Sequence, residues 1–285
     1  MQISPTHKRI LYLFYLRKIK PFLFSHSVQP SNLKIDIIIP LITKDLAVFP
    51  YVVDSARRYI MHPLGEIIVV APDDAEIRNQ CAIQNCRFAD ETTVLPFSKN
   101  QINYHIDGMD RSGWIYQQLL KLSGDLIASQ RYFLVLDADT VLIRPQIFII
   151  NRKLVFNCSD EYHPPYFEHY QKIFGVSSRA PISFVSHYML FDRNVLQEIR
   201  ASIEKRHQVF WSRAILNALD RSQGSSFSEF EMYGNYMWQT RPQEIFLEYS
   251  FNVSCHRSDL AQLPALVEKY KNGYKSLSFH SWRME

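Results

Sequence analysis

The sequence predicts a doubly wound α/β fold with a mostly parallel central sheet. Three observations predict it: near-continuous apolar runs that suit strands covered on both faces, helix-periodic stretches between them, and a strand–helix–strand spacing that fits a crossover unit. With 285 residues, 47% apolar and 21% charged, the chain is long enough for one large domain with a sizeable core.

Residues 1–33 read as a basic, aromatic tail. The run from Lys8 to Lys20 alternates Tyr, Phe and Leu with Lys and Arg. It is too short to span a membrane, and no small-residue cleavage site follows it. It reads equally as a helix on an anionic membrane surface, through residues 8–24, and as a helix packed on its own domain. Pro30-Ser31-Asn32 is a linker, and residues 34–285 form the domain.

The first buried strand is Lys34 to Pro40, followed by a helix over Phe49 to Ile60 and a second strand, Glu66 to Pro72. Asp73-Asp74-Ala75-Glu76 has the composition of a capped helix start. Trp114 to Leu122 shows helical spacing of apolar residues after Ser112-Gly113. The strongest strand, Tyr132-Phe133-Leu134-Val135-Leu136, runs into Asp137-Ala138-Asp139-Thr140. Ile182 to Phe191 alternates as a strand, and Asn194 to His207 and Phe210 to Leu219 read as helices.

Composition excludes several functions. Eight glycines, with neither GxGxxG nor GxxxxGK[ST], disfavour a dinucleotide fold and a P-loop nucleotidase. A net charge of +4 gives weak support for an acidic partner such as a nucleotide diphosphate, and none for nucleic acid. The four cysteines have no zinc spacing and point to a reducing, cytoplasmic setting.

Asp137 and Asp139 stand where the apolar run stops, at the end of the sheet where open α/β folds bind ligands. In an extended chain, two residues apart, their side chains leave the same face. Such a pair repels itself unless a cation lies between, and a hard divalent ion, Mn2+ or Mg2+, also binds phosphate oxygens. An Asp-x-Asp-Thr after a strand also fits a haloacid-dehalogenase-like phosphatase with Asp137 as nucleophile. In that family the motif is on the first strand and a GDxxxD follows, and neither holds here. A purely structural role in caps and turns is the third reading of the pair.

Taken in order, these segments resemble a GT-A (nucleotide-diphospho-sugar transferase) glycosyltransferase. They are similar in particular to a bacterial family with a GWxxQQLLKL helix before a DxD strand, matched here by Gly113 to Leu122 and Leu134 to Thr140. Ser183 to Phe191, Ser226 to Asn235 and the closing Ser278-Phe279-His280-Ser281-Trp282 complete the match. The resemblance implies a central sheet with a smaller acceptor-side sheet, and transfer of a sugar from a nucleoside-diphosphate (UDP) sugar to a glycan or glycolipid hydroxyl. It implies a role in surface polysaccharide or glycolipid synthesis, at the inner face of the membrane. A non-catalytic carbohydrate-binding domain of the same fold is the alternative.

The resemblance assigns the metal to Asp139 and His280, gives Asp137 the metal or the donor ribose, and points His187 at donor or acceptor; Arg111, Gln117, Lys121 and Ala138 are further donor-binding candidates. Arg111 and Lys121 suit diphosphate because charge-assisted bonds are strong, though each reads equally as a surface charge. Glu229 and Glu231 open a helix where the family has its acidic motif and are the candidates for a catalytic base. Two residues apart on a helix they point about 200° apart, so only one faces the pocket; the same residues fit capping boxes with Ser226 and Ser228. Tyr233, one turn beyond Glu229, and the stiff aromatic loop containing His163 and Tyr166 are assigned to the acceptor.

Overall fold

The computed structural model describes residues 5–23, 30–178 and 180–281; Trp282 and residues 24–29 lie outside them. The strands in chain order are β1 (Ile35–Pro40), β2 (Leu64–Ala71), β3 (Arg87–Asp90), the small hairpin β4 (His105–Ile106) and β5 (Met109–Asp110), β6 (Tyr132–Leu136) and β7 (Thr140–Leu142). They continue with β8 (Ile149–Ile150), β9 (Lys153–Cys158), β10 (Tyr188–Asp192), β11 (Ile245–Tyr249), β12 (Asn252–His256) and β13 (Ser276–His280). The helices are α1 (Pro5–Phe14), α2 (Lys20–Leu23), α3 (Phe49–Tyr59), α4 (Ala75–Ile83) and α5 (Ser112–Lys121). After them come α6 (Pro164–Phe174), α7 (Arg193–His207), α8 (Trp211–Ala218), α9 (Glu229–Thr240) and α10 (Leu263–Tyr270).

The central sheet has the order β10-β6-β1-β2-β3, parallel except for antiparallel β10. Every residue of β1 is buried, as a strand covered on both faces requires. Strand order reverses at β1, which has β2 on one side and β6 on the other, so the crevice for a ligand opens past Pro40 and Leu136. Two smaller sheets flank this one, β11-β9-β8 and β12-β13-β7.

Asp36 interrupts the apolar run of β1 with a reason. Its carboxylate is fully buried at the amino end of the sheet and accepts from Glu66 N (2.9 Å), Ser129 N (2.6 Å), Ser129 Oγ (3.0 Å) and Gln130 N (2.9 Å). Gly65 passes so close to this carboxylate that no side chain fits there. Asp74 caps α4 by accepting from Glu76 N and Ile77 N.

Three expectations need correction. The strand over Ile182 to Phe191 is shorter and begins at Tyr188, because the chain over Ser183 to Val185 turns its donors onto a buried carboxylate, Glu231. The segment His163-Pro164-Pro165-Tyr166-Phe167 is no loop: two prolines open α6, where their missing N–H groups cost nothing. The DxD is not extended either; Thr140 N donates to Asp137 O (3.1 Å) and closes a tight turn over Asp137 to Thr140.

The N-terminal helix packs on the domain along one side. A π-helical turn, Tyr15–Ile19, joins α1 to α2. Leu13 and Leu16 are buried, the Tyr12 ring meets Trp238 edge-on, and Arg17 pairs with Asp160 at 3.2 Å. Among the described residues no helix is long and apolar enough to cross a membrane.

Candidate functional site

Two antiparallel pairings bring two histidines to the two aspartates. Beyond the Tyr188↔Leu136 pair of β10 and β6, Asp137 N donates to His187 O (3.0 Å), so His187 stands opposite Asp137. Beyond the Ser278↔Thr140 pair of β13 and β7, Phe279 N donates to Asp139 O (2.8 Å), which sets His280 beside Asp139.

One ligand atom each of Asp137, Asp139 and His187 lie within 4.8 Å of one another. His187 Nδ1 is 3.7 Å from Asp137 Oδ2, and His280 Nδ1 is 3.2 Å from Asp139 Oδ2. The four side chains keep 11–27% of their surface exposed, enough for access from the cleft. Two carboxylates and an imidazole at this separation fit a divalent cation, and the set that converges is Asp137, Asp139 and His187. The resemblance had pointed His187 at donor or acceptor and placed His280 in the metal set; here His280 bonds to Asp139.

Lys121 supports the cluster from inside. Its buried ammonium lies 2.7 Å from Asp137 Oδ1 and 2.7 Å from Glu229 Oε1, and 4.6 Å over the Phe230 ring. Burial pushes the Asp137 carboxyl up, but Lys121 and His187 outweigh it and hold it below the usual carboxylate range. Burial also raises Glu229, which Lys121 only partly offsets. Lys121 is therefore a buried counter-ion between two carboxylates rather than an open phosphate contact. Glu229 is sealed by the same contact, 3% exposed, with its amide N–H on Gln118 Oε1.

Glu231 points elsewhere, as the helical spacing requires. Ser183 Oγ (2.7 Å) and Phe184 N (3.0 Å) donate to one oxygen and Asn235 Nδ2 (2.7 Å) to the other. It fixes the segment leading to His187 and offers nothing to an acceptor. Its burial pushes the carboxyl up from 4.5 to about 7. The folded state then holds a proton that the unfolded chain has lost, so Glu231 favours folding at low pH and opposes it as pH rises from about 5 to 7. The penalty reaches on the order of 3 kcal/mol. Urea unfolding of Glu231→Gln is expected to show a flatter pH dependence across that window than the wild type.

Tyr233 is fully buried, and its hydroxyl accepts from Asp192 N (2.9 Å), which leaves no surface for an acceptor. Ala138 is buried inside the tight turn. His163 Nε2 donates to Ser225 O (2.7 Å), and its ring meets Tyr166.

A cleft of about 660 Å³ runs past the carboxyl ends of β1 and β2 at Pro40, Leu41 and Val70, and along α5 at Trp114 and Gln117. Arg111, Gln117 and Tyr166 line it; Asp137 and Asp139 do not. Five further charged groups on its wall escaped the sequence reading: Lys44, Glu91, Lys99, Asp110 and Glu161. Lys44 adjoins Asp45, whose carboxyl feels the Asp139 charge, and Glu161 feels His187, so cleft and cluster are electrostatic neighbours. Lys44 had a signal, its place just after the first strand; Glu161, a lone acid before His163, had none.

No curated protein matches this sequence. Among solved structures, a galactosyltransferase, LgtC, in complex with donor and acceptor sugar analogues, superposes at a TM-score of 0.45 and 13% identity, over 86% of this chain and 87% of that chain. That likeness is too distant to bear on the chemistry. A family model matches residues 32–282, and the chain belongs to that family, DUF6492, a family of unknown function.

Proposed function

We propose that this protein is a GT-A type glycosyltransferase, dependent on Mn2+ or Mg2+, that moves a sugar from a nucleoside-diphosphate sugar, with UDP the expected nucleotide, to a hydroxyl of a glycan or glycolipid. The observation that carries the reading is the Asp137–Asp139–His187 cluster at the strand-order reversal, next to a cleft walled by Lys44, Lys99 and Arg111.

Bound there, a divalent cation supplies charge neutralisation for the departing diphosphate. The chain's own residues do the rest. Lys121 and His187 hold the Asp137 carboxylate ionised and oriented, and His280 orients Asp139 through its 3.2 Å contact. Lys44, Lys99 and Arg111 offer charge-assisted contacts to phosphate oxygens. The apolar ends of β1 and β2 and the indole of Trp114 give the nucleotide a wall to lie against. An acceptor hydroxyl needs a carboxylate to take its proton, and Glu161, exposed on the cleft wall, is better placed for that than the sealed Glu229. The four free thiols, Cys81, Cys86, Cys158 and Cys255, accord with a cytoplasmic site of action.

Thermal melting with UDP and UDP-sugars, each with and without manganese, tests this. Stabilisation that requires both nucleotide and metal is expected, about 2.7 kcal/mol at a ligand concentration 100 times Kd. No shift with any nucleotide defeats the proposal and favours a carbohydrate-binding domain. Phosphate trapped covalently on Asp137 defeats it in favour of a phosphatase.

A further inference from the structure

Arg257 belongs to neither the cleft wall nor the metal cluster, yet it holds a neighbour of each. It opens the 3-10 turn Arg257–Gln262 directly after β12, whose His256 pairs with His280 of β13. From there its guanidinium reaches three oxygens. Nη2 lies 2.5 Å from Asp45 Oδ1 and donates to Phe279 O at 3.3 Å, while Nη1 donates to Lys44 O. The Arg257 and Asp45 side chains are only 19% and 9% exposed, so solvent screens the pair little.

Both ends of this bridge lead to the site. Thr43–Asp45 is a 3-10 turn after β1, and Lys44 at its centre lines the cleft. At the other end, the Phe279 N–H donates to Asp139 O at 2.8 Å, and the next residue, His280, meets the Asp139 carboxylate at 3.2 Å. The turn leaves the central sheet, whereas β13 lies in the β12-β13-β7 sheet, so no ladder of backbone bonds joins them. A guanidinium is planar, stays charged and offers its N–H groups in a fixed fork; gripping oxygens on both elements sets the distance between them. Arg257 Nε is buried with no acceptor among the described residues. A buried donor left unpaired costs stability, so the bridge is not optimised for folding alone.

We propose that Arg257 is a positioning residue that keeps Lys44 at a fixed distance from the Asp139 rim, so that a divalent cation and a nucleoside diphosphate are bound as one unit. The inference rests on the metal-dependent nucleotide reading above. A diphosphate gains from Lys44 and from a cation at Asp139 together only where their spacing matches it. With that spacing preset, little ordering is left for the moment of binding. Arg257 touches neither ligand, so its removal leaves each one's separate binding in place and lowers their mutual enhancement.

Calorimetric titration of the full chain with Mn2+ alone, UDP alone and UDP at saturating Mn2+ tests this. The wild type is expected to bind UDP more tightly with Mn2+ present. Arg257→Gln is expected to cut that enhancement at least about fivefold, the low end of the range for coupled sites. Its binding of Mn2+ alone is expected to stay unchanged, because Asp137, Asp139 and His187 are all retained. Arg257→Lys keeps the charge without the fork and is expected to lose as much. An undiminished enhancement in Arg257→Gln, or its full recovery in Arg257→Lys, would overturn the inference. Equal losses for Mn2+ alone and for UDP with Mn2+ would overturn it too, reducing Arg257 to a structural support. Should neither variant fold, Asp45→Asn slackens the same bridge, and an undiminished enhancement there counts equally against it. A wild type that binds no nucleotide sinks the sugar-transfer reading first and this inference with it; variants that keep a wild-type enhancement sink this inference alone.

Discussion

Asp139→Asn is expected to weaken manganese-dependent nucleotide binding by at least about 100-fold, since even the supporting partners of metal ligands are worth 10–100-fold. Asp139 is one of two anionic groups in the cluster, and an amide oxygen lacks the charge that offsets dehydration of a hard cation. The metal-free variant is expected to melt no lower than the wild type, because two crowded carboxylates become one. His280 loses an ionic partner but keeps an oxygen acceptor 3.2 Å away. Calorimetric titration of Mn2+ with UDP present, beside a melting curve without either, separates lost binding from lost folding. Unaltered metal dependence would move the site away from this cluster.

Lys121→Met is expected to be the most damaging single change to stability, by about 3–5 kcal/mol at neutral pH. The ammonium is buried, and its removal strands Asp137 and Glu229 facing each other with no cation between them. Both carboxyls then take up protons more readily in the folded state than in the unfolded chain, so the loss shrinks as pH falls. The wild type behaves oppositely at Asp137: its depressed carboxyl contributes stability at neutral pH and loses it only as pH falls below the ordinary value of 3.8. Lys121→Met/Glu229→Gln is expected to recover most of the loss, since one stranded charge disappears. Urea unfolding of the three proteins at pH 5 and pH 8 measures all of this. A single variant as stable as the wild type at both would deny Lys121 its place between the acids.

These two side chains illustrate what the sequence could and could not reveal. Asp137 and Asp139 were legible because β6 is an unbroken apolar run that stops at them, and strand ends are where α/β sheets bind. The parallel strands β1 and β2 and helices α3, α4, α5, α7 and α8 were legible from period and caps. Lys121 was not, because it ends an amphipathic helix at the position where a solvated basic residue usually sits. Only the packing of α9 against α5 turns it inward. His187 stayed ambiguous for a similar reason: its partner is set by the register of an antiparallel strand fifty residues away, and register is a tertiary property. The DxD turn was misread as extended because an Asx-rich turn and a strand end look alike in one dimension. Glu229 and Glu231 were placed on the right helix, but hydrophobic periodicity cannot show that one closes on a lysine and the other on backbone amides.

The two ends of the central sheet differ in temperament. At the foot, one carboxylate in β1 satisfies four donors from neighbouring segments and locks three strands together. At the rim, two carboxylates are crowded together and held by Lys121, His187 and His280. Disturbing the foot should change how firmly the molecule holds its shape and leave ligand response alone, while replacing Asp139 at the rim should do the reverse. An Asp36→Asn protein that melts early yet grips nucleotide normally would be the signature of that division of labour.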